Sequence, residues 1–143
     1  GRYDGLVREL GGTETPAFGC AFGMERLILL LQQQGKAQKT KPDFYFVSKG
    51  EKAEAQALIL AQKLRNLGFT VELDLSGSAF GKQFKRADRS EAYACLILGE
   101  EEALINNINV KWMLSKKQET FSQSKLLEIS DQLRQQINES KQN

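Results

Sequence analysis

Residues 19–26 read Gly-Cys-Ala-Phe-Gly-Met-Glu-Arg, and residues 27–31 continue as Leu-Ile-Leu-Leu-Leu. Small and large residues alternate from Gly19 to Gly23, which is typical of a strand that another group approaches closely on one face. The leucine-rich block that follows is too long for a second short strand and predicts a buried helix. The stretch therefore predicts a strand, a glycine turn and a helix.

This arrangement places Glu25 and Arg26 in the first turn of the helix, beside backbone N–H groups that have no partner within the helix. A cation at this end opposes the helix dipole, so Arg26 is a candidate ligand for an external anion such as a phosphate. Its flat, permanently charged guanidinium suits both phosphate oxygens and stacking on a base. The alternative is that Arg26 pairs with a nearby carboxylate, and these eight residues alone leave both roles open.

Two upstream segments belong to the same unbroken run. Residues 1–6 read Gly-Arg-Tyr-Asp-Gly-Leu, and residues 10–17 read Leu-Gly-Gly-Thr-Glu-Thr-Pro-Ala. In this order and spacing they resemble the end of the catalytic domain in the histidyl-tRNA synthetase family. The stretch that contains Glu25 and Arg26 resembles motif 3 of class II aminoacyl-tRNA synthetases, and the resemblance continues through most of the 143 residues.

The resemblance implies a Mg²⁺-dependent enzyme that forms histidyl-adenylate from ATP and L-histidine and then charges tRNA(His). It implies a homodimer that assembles through its catalytic domain. Arg26 is the implied catalytic residue, stacking on adenine and reaching the γ-phosphate. The implied ATP contacts are Arg26, Gly23 and Glu25.

The same resemblance implies a histidine pocket that contains Tyr3, Gly19 and Ala21. The hydroxyl of Tyr3 can hydrogen-bond an imidazole. Packing at a domain edge is the alternative role for Tyr3. For Gly19 and Gly23 the alternative is tight packing of strand against helix, which is compatible with a nucleotide lying against the backbone.

Composition sets the broad class of the protein. Hydrophobic residues make up 41% and charged residues 27%, which is ordinary for a globular protein. The net charge of +2 does not by itself indicate nucleic-acid binding.

No apolar run approaches the ~20 residues of a membrane span, so we expect no membrane partner. Cys20 and Cys95 lie in apolar contexts and read as reduced core residues of a cytoplasmic protein. Two distant cysteines and no histidine predict no metal site and exclude histidine-dependent triads.

A polar run at residues 32–42, with three lysines, a glycine and a closing proline, marks a domain boundary. We assign residues 1–34 to the end of a class II catalytic domain, 35–42 to a linker and 43–143 to a second domain. A lone strand and helix would leave apolar faces uncovered, so the first segment looks truncated. Motifs 1 and 2 of the class are absent, and we therefore expect this chain alone to be inactive.

From residue 43 the pattern alternates between strands and helices. Strands are predicted at residues 44–47, 69–75 and 93–98, a hairpin at 109–114 and 118–121, and helices at 52–67, 81–91 and 125–139. The strand at 93–98 is the most apolar and is expected at the centre of the sheet. These elements predict an α/β domain with a mixed five-stranded sheet and helices on both faces, preceded by the strand–helix remnant of an antiparallel catalytic domain. It resembles the anticodon-binding domain of class IIa synthetases.

Residues 78–89 carry four cations against one acid, interleaved with two phenylalanines, and follow a strand end. Cations for phosphates and aromatic rings for unpaired bases are what single-stranded RNA requires. The candidate tRNA contacts are Phe80, Lys82, Lys85, Arg86 and Arg89. The alternative is a solvated basic helix face, with Phe84 simply in the core.

Two rival functions accompany this interpretation. The first is a synthetase-like module that binds tRNA without catalysis. The regulatory paralogue of ATP phosphoribosyltransferase, which shares the catalytic fold, lacks the anticodon domain, so residues 43–143 argue against it. The second rival is an unrelated small α/β protein, which the motif run at residues 1–26 argues against.

Overall fold

The computed structural model describes residues 1–36 and 40–142. The chain divides into two compact units, Gly1–Lys39 and Thr40–Asn143. The predicted linker at residues 35–42 includes residues 37–39, which lie outside the described residues, so the domain bounds stay a prediction. Among the helices that the structure describes, none combines the length and the hydropathy needed to cross a membrane.

The first unit contains two helices, α1 (Leu6–Glu9) and α2 (Met24–Gln33). The predicted helix after the glycine turn is confirmed by α2. The predicted strand at residues 19–23 is not observed, because pairing with the N-terminal segment stops at Gly19, whose N–H donates to the Gly1 carbonyl at 2.9 Å. A strand needs a neighbour for its backbone groups, and no segment among the described residues supplies one beside residues 20–23.

The second unit is a five-stranded mixed sheet with helices on both faces, as predicted. Its elements are β1 (Phe44–Ser48), α3 (Glu51–Asn66), β2 (Val71–Leu73), α4 (Phe80–Ser90), β3 (Ala94–Leu98), α5 (Glu100–Leu104), β4 (Asn107–Trp112), β5 (Gln118–Ser122), α6 (Gln123–Glu128) and α7 (Ser130–Gln142). The strand order is β2-β1-β3-β4-β5, with β1 parallel to β2 and β3 and the remaining pairs antiparallel. β3 is central, as its sequence predicts.

Two hydrophobic clusters lie on opposite faces of the sheet. The larger contains buried residues of α3, α5, α6 and α7, whereas the smaller contains Ala87 of α4 with Tyr45, Val47, Ala92 and Cys95. α4 is the helix of the second unit that contributes a buried residue to the smaller cluster. The position of α4 therefore sets what the second face presents to solvent.

Gly68 ends α3 as the sequence predicts. It has φ +87°, its N–H donates to the Arg65 carbonyl, and the N–H of Phe69 donates to the Leu64 carbonyl. These two hydrogen bonds satisfy the last carbonyls of α3, and the positive φ suits a residue without Cβ.

The predicted helix at 125–139 is two helices, α6 and α7, which meet at Ile129. The next residues are Ser130 and Asp131, types that favour helix starts.

Asp74 follows β2 and is the buried acid that fixes the next loop. Its side chain is 1% exposed and accepts hydrogen bonds from Arg86 Nε at 2.6 Å and Nη2 at 3.1 Å. Ser76 adds its N–H at 3.1 Å and its hydroxyl at 2.5 Å. Arg86 Nη2 also donates to the hydroxyls of Ser76 and Ser78. Gly77, with φ +61°, lets the chain turn between the two serines.

The pKa of Asp74 reflects two opposed effects. Burial raises the pKa, but hydrogen bonds from Arg86 and Ser76 and the charge of Arg86 outweigh burial, and the pKa falls from 3.8 to about 2. A carboxylate with a depressed folded-state pKa contributes stability that is present above the unfolded pKa and is lost as pH falls through the folded pKa. The pair therefore stabilises the fold at neutral pH and weakens between about pH 4 and pH 2.

We predict that Asp74→Asn lowers the free energy of unfolding by about 2 kcal/mol at pH 7, because the charge-assisted bonds to Arg86 are lost. The difference from the unsubstituted chain should shrink as pH falls from 4 towards 2. Urea unfolding, followed by the fluorescence of the single tryptophan, Trp112, measures it at each pH. Asp88→Asn, which removes an exposed acid from α4, is the matched control and should change little. A loss below about 0.5 kcal/mol, or one independent of pH, contradicts this role.

Candidate functional site

Arg26 lies in the first turn of α2, as predicted. Gly23 precedes the helix with extended backbone, and its carbonyl accepts the first helical bond, from Leu27 at 3.1 Å. A Cβ at Gly23 would lie 3.7 Å from Cβ of Arg26, an ordinary contact distance, so space alone does not require glycine here. Within residues 1–36 and 40–142, the Arg26 side chain has no ion pair. Its guanidinium and the helix N-terminus can together face an anion.

Tyr3 and Gly19 lie side by side in the first unit. The Tyr3 N–H donates to the Ala17 carbonyl at 2.7 Å, and the Gly1 amine donates to the Gly19 carbonyl at 2.5 Å. A Cβ at Gly19 would sit 3.6 Å from Cε2 of Tyr3, so the ring lies against this glycine. The structure thus brings together two residues of the predicted histidine pocket. Ala21 and Glu25 are exposed nearby in the chain.

The two cysteines differ, and the expectation that both lie in the core is wrong for Cys20. Cys95 is buried in β3, and burial raises the pKa of its thiol to about 12. Cys20 is exposed, because none of the described residues packs over this stretch, where Phe18 and Phe22 are exposed as well. Cys95 is therefore a packing residue, whereas Cys20 faces solvent.

α4 separates its apolar and basic residues onto different faces. Gln83 and Ala87 are buried, while Lys82, Lys85 and Arg89 are exposed along one stripe at helical spacing. None of these three cations has an ion pair within the described parts of the chain. They are available to phosphates.

Arg86 differs from the other three cations of α4. Its side chain is 38% exposed, and its guanidinium holds Asp74, Ser76 and Ser78 as described above. The sequence places Arg86 among candidate RNA contacts because it cannot reveal a partner twelve residues away. The structure gives it an internal role, which is to hold the loop at residues 74–78 against α4.

Gln83 fixes the other side of the same helix. It is fully buried, accepts a bond from the Ser48 N–H at 3.0 Å, and donates to the carbonyls of Ser48 at 2.8 Å and Ser78 at 2.6 Å. These bonds join the end of β1, the loop and α4. A buried amide with its partners satisfied specifies one arrangement, so α4 begins at a defined place.

Phe80 stands at the start of α4, beside a crevice at the carboxyl ends of β1 and β3. Its ring stacks on Phe84, with centroids 6.0 Å apart, and is partly buried against the smaller cluster. The crevice measures ≈ 350 Å³ and is lined by Lys49, Phe80, Gly99, Glu100, Glu101 and Glu102. Ligands of α/β sheets bind where parallel strands end, which makes this the expected position for a binding site.

A polar network extends from the crevice across β4 and β5. Glu102 accepts hydrogen bonds from the Gly99 N–H and from Asn109 Nδ2, both at 3.0 Å. The Thr120 hydroxyl donates to Asn109 Oδ1 at 2.5 Å. We did not predict these residues, nor helix α5, from the sequence. The available signal was a glycine at a strand end followed by three acids, which is also a helix-start pattern.

The name α4 surface is used for three parts: the cationic stripe on the outer face of α4, Phe80 on the opposite face of the same helix, and the crevice with its network beside Phe80. This surface combines unpaired cations, an aromatic ring and oriented polar groups. Cations track a phosphate backbone and aromatic rings stack on unpaired bases, so this combination suits single-stranded nucleic acid.

Comparison with known proteins identifies the family of this chain. Residues 43–133 match the family described as "Anticodon binding domain". The chain is 62% identical over 141 residues to the histidine–tRNA ligase of Picosynechococcus sp., covering 99% of this chain and 33% of the relative. It is 64% identical over 140 residues to that of Cyanothece sp., covering 98% of this chain and 33% of the relative. The chain thus spans about a third of the length of these relatives.

Among solved structures, apo histidyl-tRNA synthetase of S. aureus is similar, with a TM-score of 0.59 and 32% identity. The match covers 90% of this chain and 33% of that one. The resemblance to histidyl-tRNA synthetases that residues 1–26 carry is confirmed by homologues along almost the whole chain. The chain belongs to the anticodon-binding-domain family, and its homologues are histidine–tRNA ligases.

Proposed function

We propose that the chain is the C-terminal part of a histidine–tRNA ligase, which activates L-histidine with ATP and transfers it to tRNA(His). The observation that carries the proposal is 62% identity to a histidine–tRNA ligase across 99% of the chain. We assign residues 1–34 to the end of the catalytic domain, 35–42 to the linker and 43–143 to the anticodon-binding domain. The whole enzyme is proposed to be cytoplasmic and to dimerise through its catalytic domain.

The first unit contributes to the adenylation site in this proposal. The histidine carboxylate attacks the α-phosphate of ATP, a carboxylate–phosphorus bond forms, and pyrophosphate leaves. Positioning and charge stabilisation supply the catalysis of such an in-line displacement. Arg26 stacks on adenine and neutralises the γ-phosphate, and its position in the first turn of α2 supports that role. Gly23 and Glu25 complete the ATP contacts.

The histidine side of the site is formed in this chain by Tyr3, Gly19 and Ala21. The placement of the Tyr3 ring against Gly19 supports a shared wall. The hydroxyl of Tyr3 can hydrogen-bond an imidazole. This chain supplies only part of the pocket, and we propose that it is inactive alone.

Mg²⁺ accompanies ATP in the proposed reaction as the counterion of its phosphates. The residues that the structure describes contain no group of three or more Cys, Asp or Glu side chains placed to hold an ion. We therefore propose no metal ligand from this chain. The charge stabilisation that this chain offers comes from Arg26.

The second unit binds tRNA through the α4 surface in this proposal. Lys82, Lys85 and Arg89 contact phosphates, and Phe80 stacks on an unpaired base. Arg86 contributes indirectly, by holding the loop at residues 74–78 against α4. The observations that support this surface are the exposed, unpaired state of the three cations on α4 and the crevice at the ends of β1 and β3.

A non-catalytic tRNA-binding module is the second candidate function. The observation that favours it is that the family match lies entirely within residues 43–133, in the second unit. Both candidates share the RNA-binding surface. Activity of the full-length protein distinguishes them.

We predict that Arg26→Ala in the full-length protein lowers histidine-dependent ATP–pyrophosphate exchange by ~100-fold or more, because a charge-assisted contact to phosphate is lost. Binding of tRNA should remain within a few-fold of the unsubstituted enzyme. Arg8→Ala, which removes another exposed arginine of the first unit, is the matched control. Exchange by Arg26→Ala within a few-fold of the parent would exclude Arg26 from the site.

A second prediction concerns how the affinity for RNA depends on salt concentration. For single-stranded RNA the logarithm of the affinity falls by roughly 0.7 per phosphate contact for each tenfold rise in salt. Reversing Lys85 and Arg89 to Glu should reduce affinity for a histidine-tRNA anticodon stem-loop and flatten this slope by about one to two units. Phe80→Ala should lose ~1–3 kcal/mol of binding through stacking, with the slope unchanged.

The matched control reverses Lys52 and Lys63, two exposed cations of α3, and makes the same change in net charge. Titrations of each folded variant at several salt concentrations give affinity and slope together. If the α4 and α3 reversals behave alike, only the net charge matters and the α4 surface is not the RNA site.

A further inference from the structure

The hydrogen-bond ladder between β1 and β2 stops before the end of β1. The Asp74 N–H donates to the Phe46 carbonyl at 3.0 Å, in keeping with the parallel register of the two strands. If the ladder continued, the Ser76 N–H would donate to the Ser48 carbonyl, because each bond of a parallel ladder lies two residues further along both strands. The Ser76 N–H instead donates to Oδ1 of Asp74 at 3.1 Å. β2 therefore supplies no partner for Ser48.

The side-chain amide of Gln83 takes the place of the missing strand residues. Its Oε1 accepts the Ser48 N–H at 3.0 Å, and its Nε2 donates to the Ser48 carbonyl at 2.8 Å. Nε2 also donates to the Ser78 carbonyl at 2.6 Å. Gln83 and Ser48 are both buried, so loss of these bonds would leave buried backbone groups unpaired. Gln83 thus completes the sheet edge and lets residues 75–79 leave the sheet.

The same bonds fix the rotation of α4 about its own axis. Gln83 lies on the buried side of the helix, whereas Lys82, Lys85 and Arg89 are exposed on another side. Successive residues of a helix are ~100° apart, so any rotation that releases Gln83 redirects the three cations as well. We infer that Gln83 is a positioning residue for RNA binding, whose amide sets the direction in which the cationic stripe of α4 faces phosphates. This role rests on the proposed RNA-binding function.

Gln83→Met tests the role, because methionine has a similar length but makes none of the three bonds. The folded variant, in the chain of residues 1–143, should bind the histidine-tRNA anticodon stem-loop about tenfold more weakly. The slope of affinity against salt should flatten by about 0.7, since a redirected stripe loses roughly one phosphate contact. If packing around Ala87 alone set the rotation of α4, the variant would lose stability but keep affinity and slope.

Gln83→Glu gives a second test, because its hydrogen bonding depends on protonation. A neutral carboxylic acid keeps an acceptor for the Ser48 N–H and one donor, whereas a carboxylate has no donor for the carbonyls of Ser48 and Ser78. Burial among these carbonyls should raise the pKa of this carboxyl above the ordinary value for glutamate. The affinity of the variant should approach that of the unsubstituted chain at about pH 5.5 and fall about tenfold by about pH 7.5.

The unsubstituted chain provides a flat background for this pH profile. It contains no histidine, so no side chain of ordinary pKa titrates in this range. Among neighbouring charged groups, Arg86 contacts Ser78 and pairs with Asp74, whose pKa of about 2 keeps the pair charged throughout. Gln62→Glu, which makes the same change at an exposed position of α3, is the matched control and should show no pH dependence.

Thermal unfolding at each pH establishes that the titrated protein is folded, and Gln83→Met decides if Gln83→Glu unfolds at the higher pH. Unchanged affinity and slope in folded Gln83→Met would overturn the positioning role, and so would a pH-independent affinity of folded Gln83→Glu. In both cases salt-dependent binding by the unsubstituted chain would persist, and the proposed function would stand. An unsubstituted chain that binds no RNA would refute the RNA-binding function and the role of Gln83 together.

Discussion

The ion pair between Asp74 and Arg86 is the interaction on which the ligand-facing end of the second unit depends. Asp74 is a buried charge, and a buried charge is tolerated only when it is paired and hydrogen-bonded. Arg86 and Ser76 satisfy it, and in doing so they hold the loop after β2 to α4. Gln83 completes the arrangement by joining α4 to the end of β1. The orientation of α4 is thus fixed by polar contacts as well as by the small hydrophobic cluster beneath it.

The sheet determines the position of the crevice. β1 and β3 are parallel neighbours, so their carboxyl ends lie at one edge of the sheet, where Phe80 begins α4 and Gly99 precedes α5. The same packing that buries Ala87 turns the cationic stripe of α4 to solvent. α4 carries the cations on its outer face and Phe80 on its inner face, and α5 carries the fixed carboxylate of Glu102 beside Phe80. Such a surface can separate affinity, which depends on phosphate contacts, from sequence preference, which depends on the base edge.

Local pattern predicted the five strands of the second unit and its helices α3 and α4. The apolar run of β3 indicated its central position, and Gly68 indicated the end of α3, because both depend on neighbouring residues. The role of Arg86 could not be predicted, since its partner Asp74 lies on the other side of the loop that precedes α4. The network of Glu102, Asn109 and Thr120 depends on strand register, which pairs Asn109 with Thr120 and is set by tertiary contacts. The strand expected at residues 19–23 failed because pairing requires a neighbour that alternation of residue size does not supply.

RNA binding at the α4 surface is tested most directly by titrating the nitrogen-labelled chain with a histidine-tRNA anticodon stem-loop and following amide chemical shifts in NMR spectra. We expect the largest shift changes at residues 76–89 and 99–102 and at Asn109 and Thr120, with α3 and α7 nearly unchanged. Shift changes concentrated on α3 or α7, or a spectrum that RNA leaves unaltered, would contradict it.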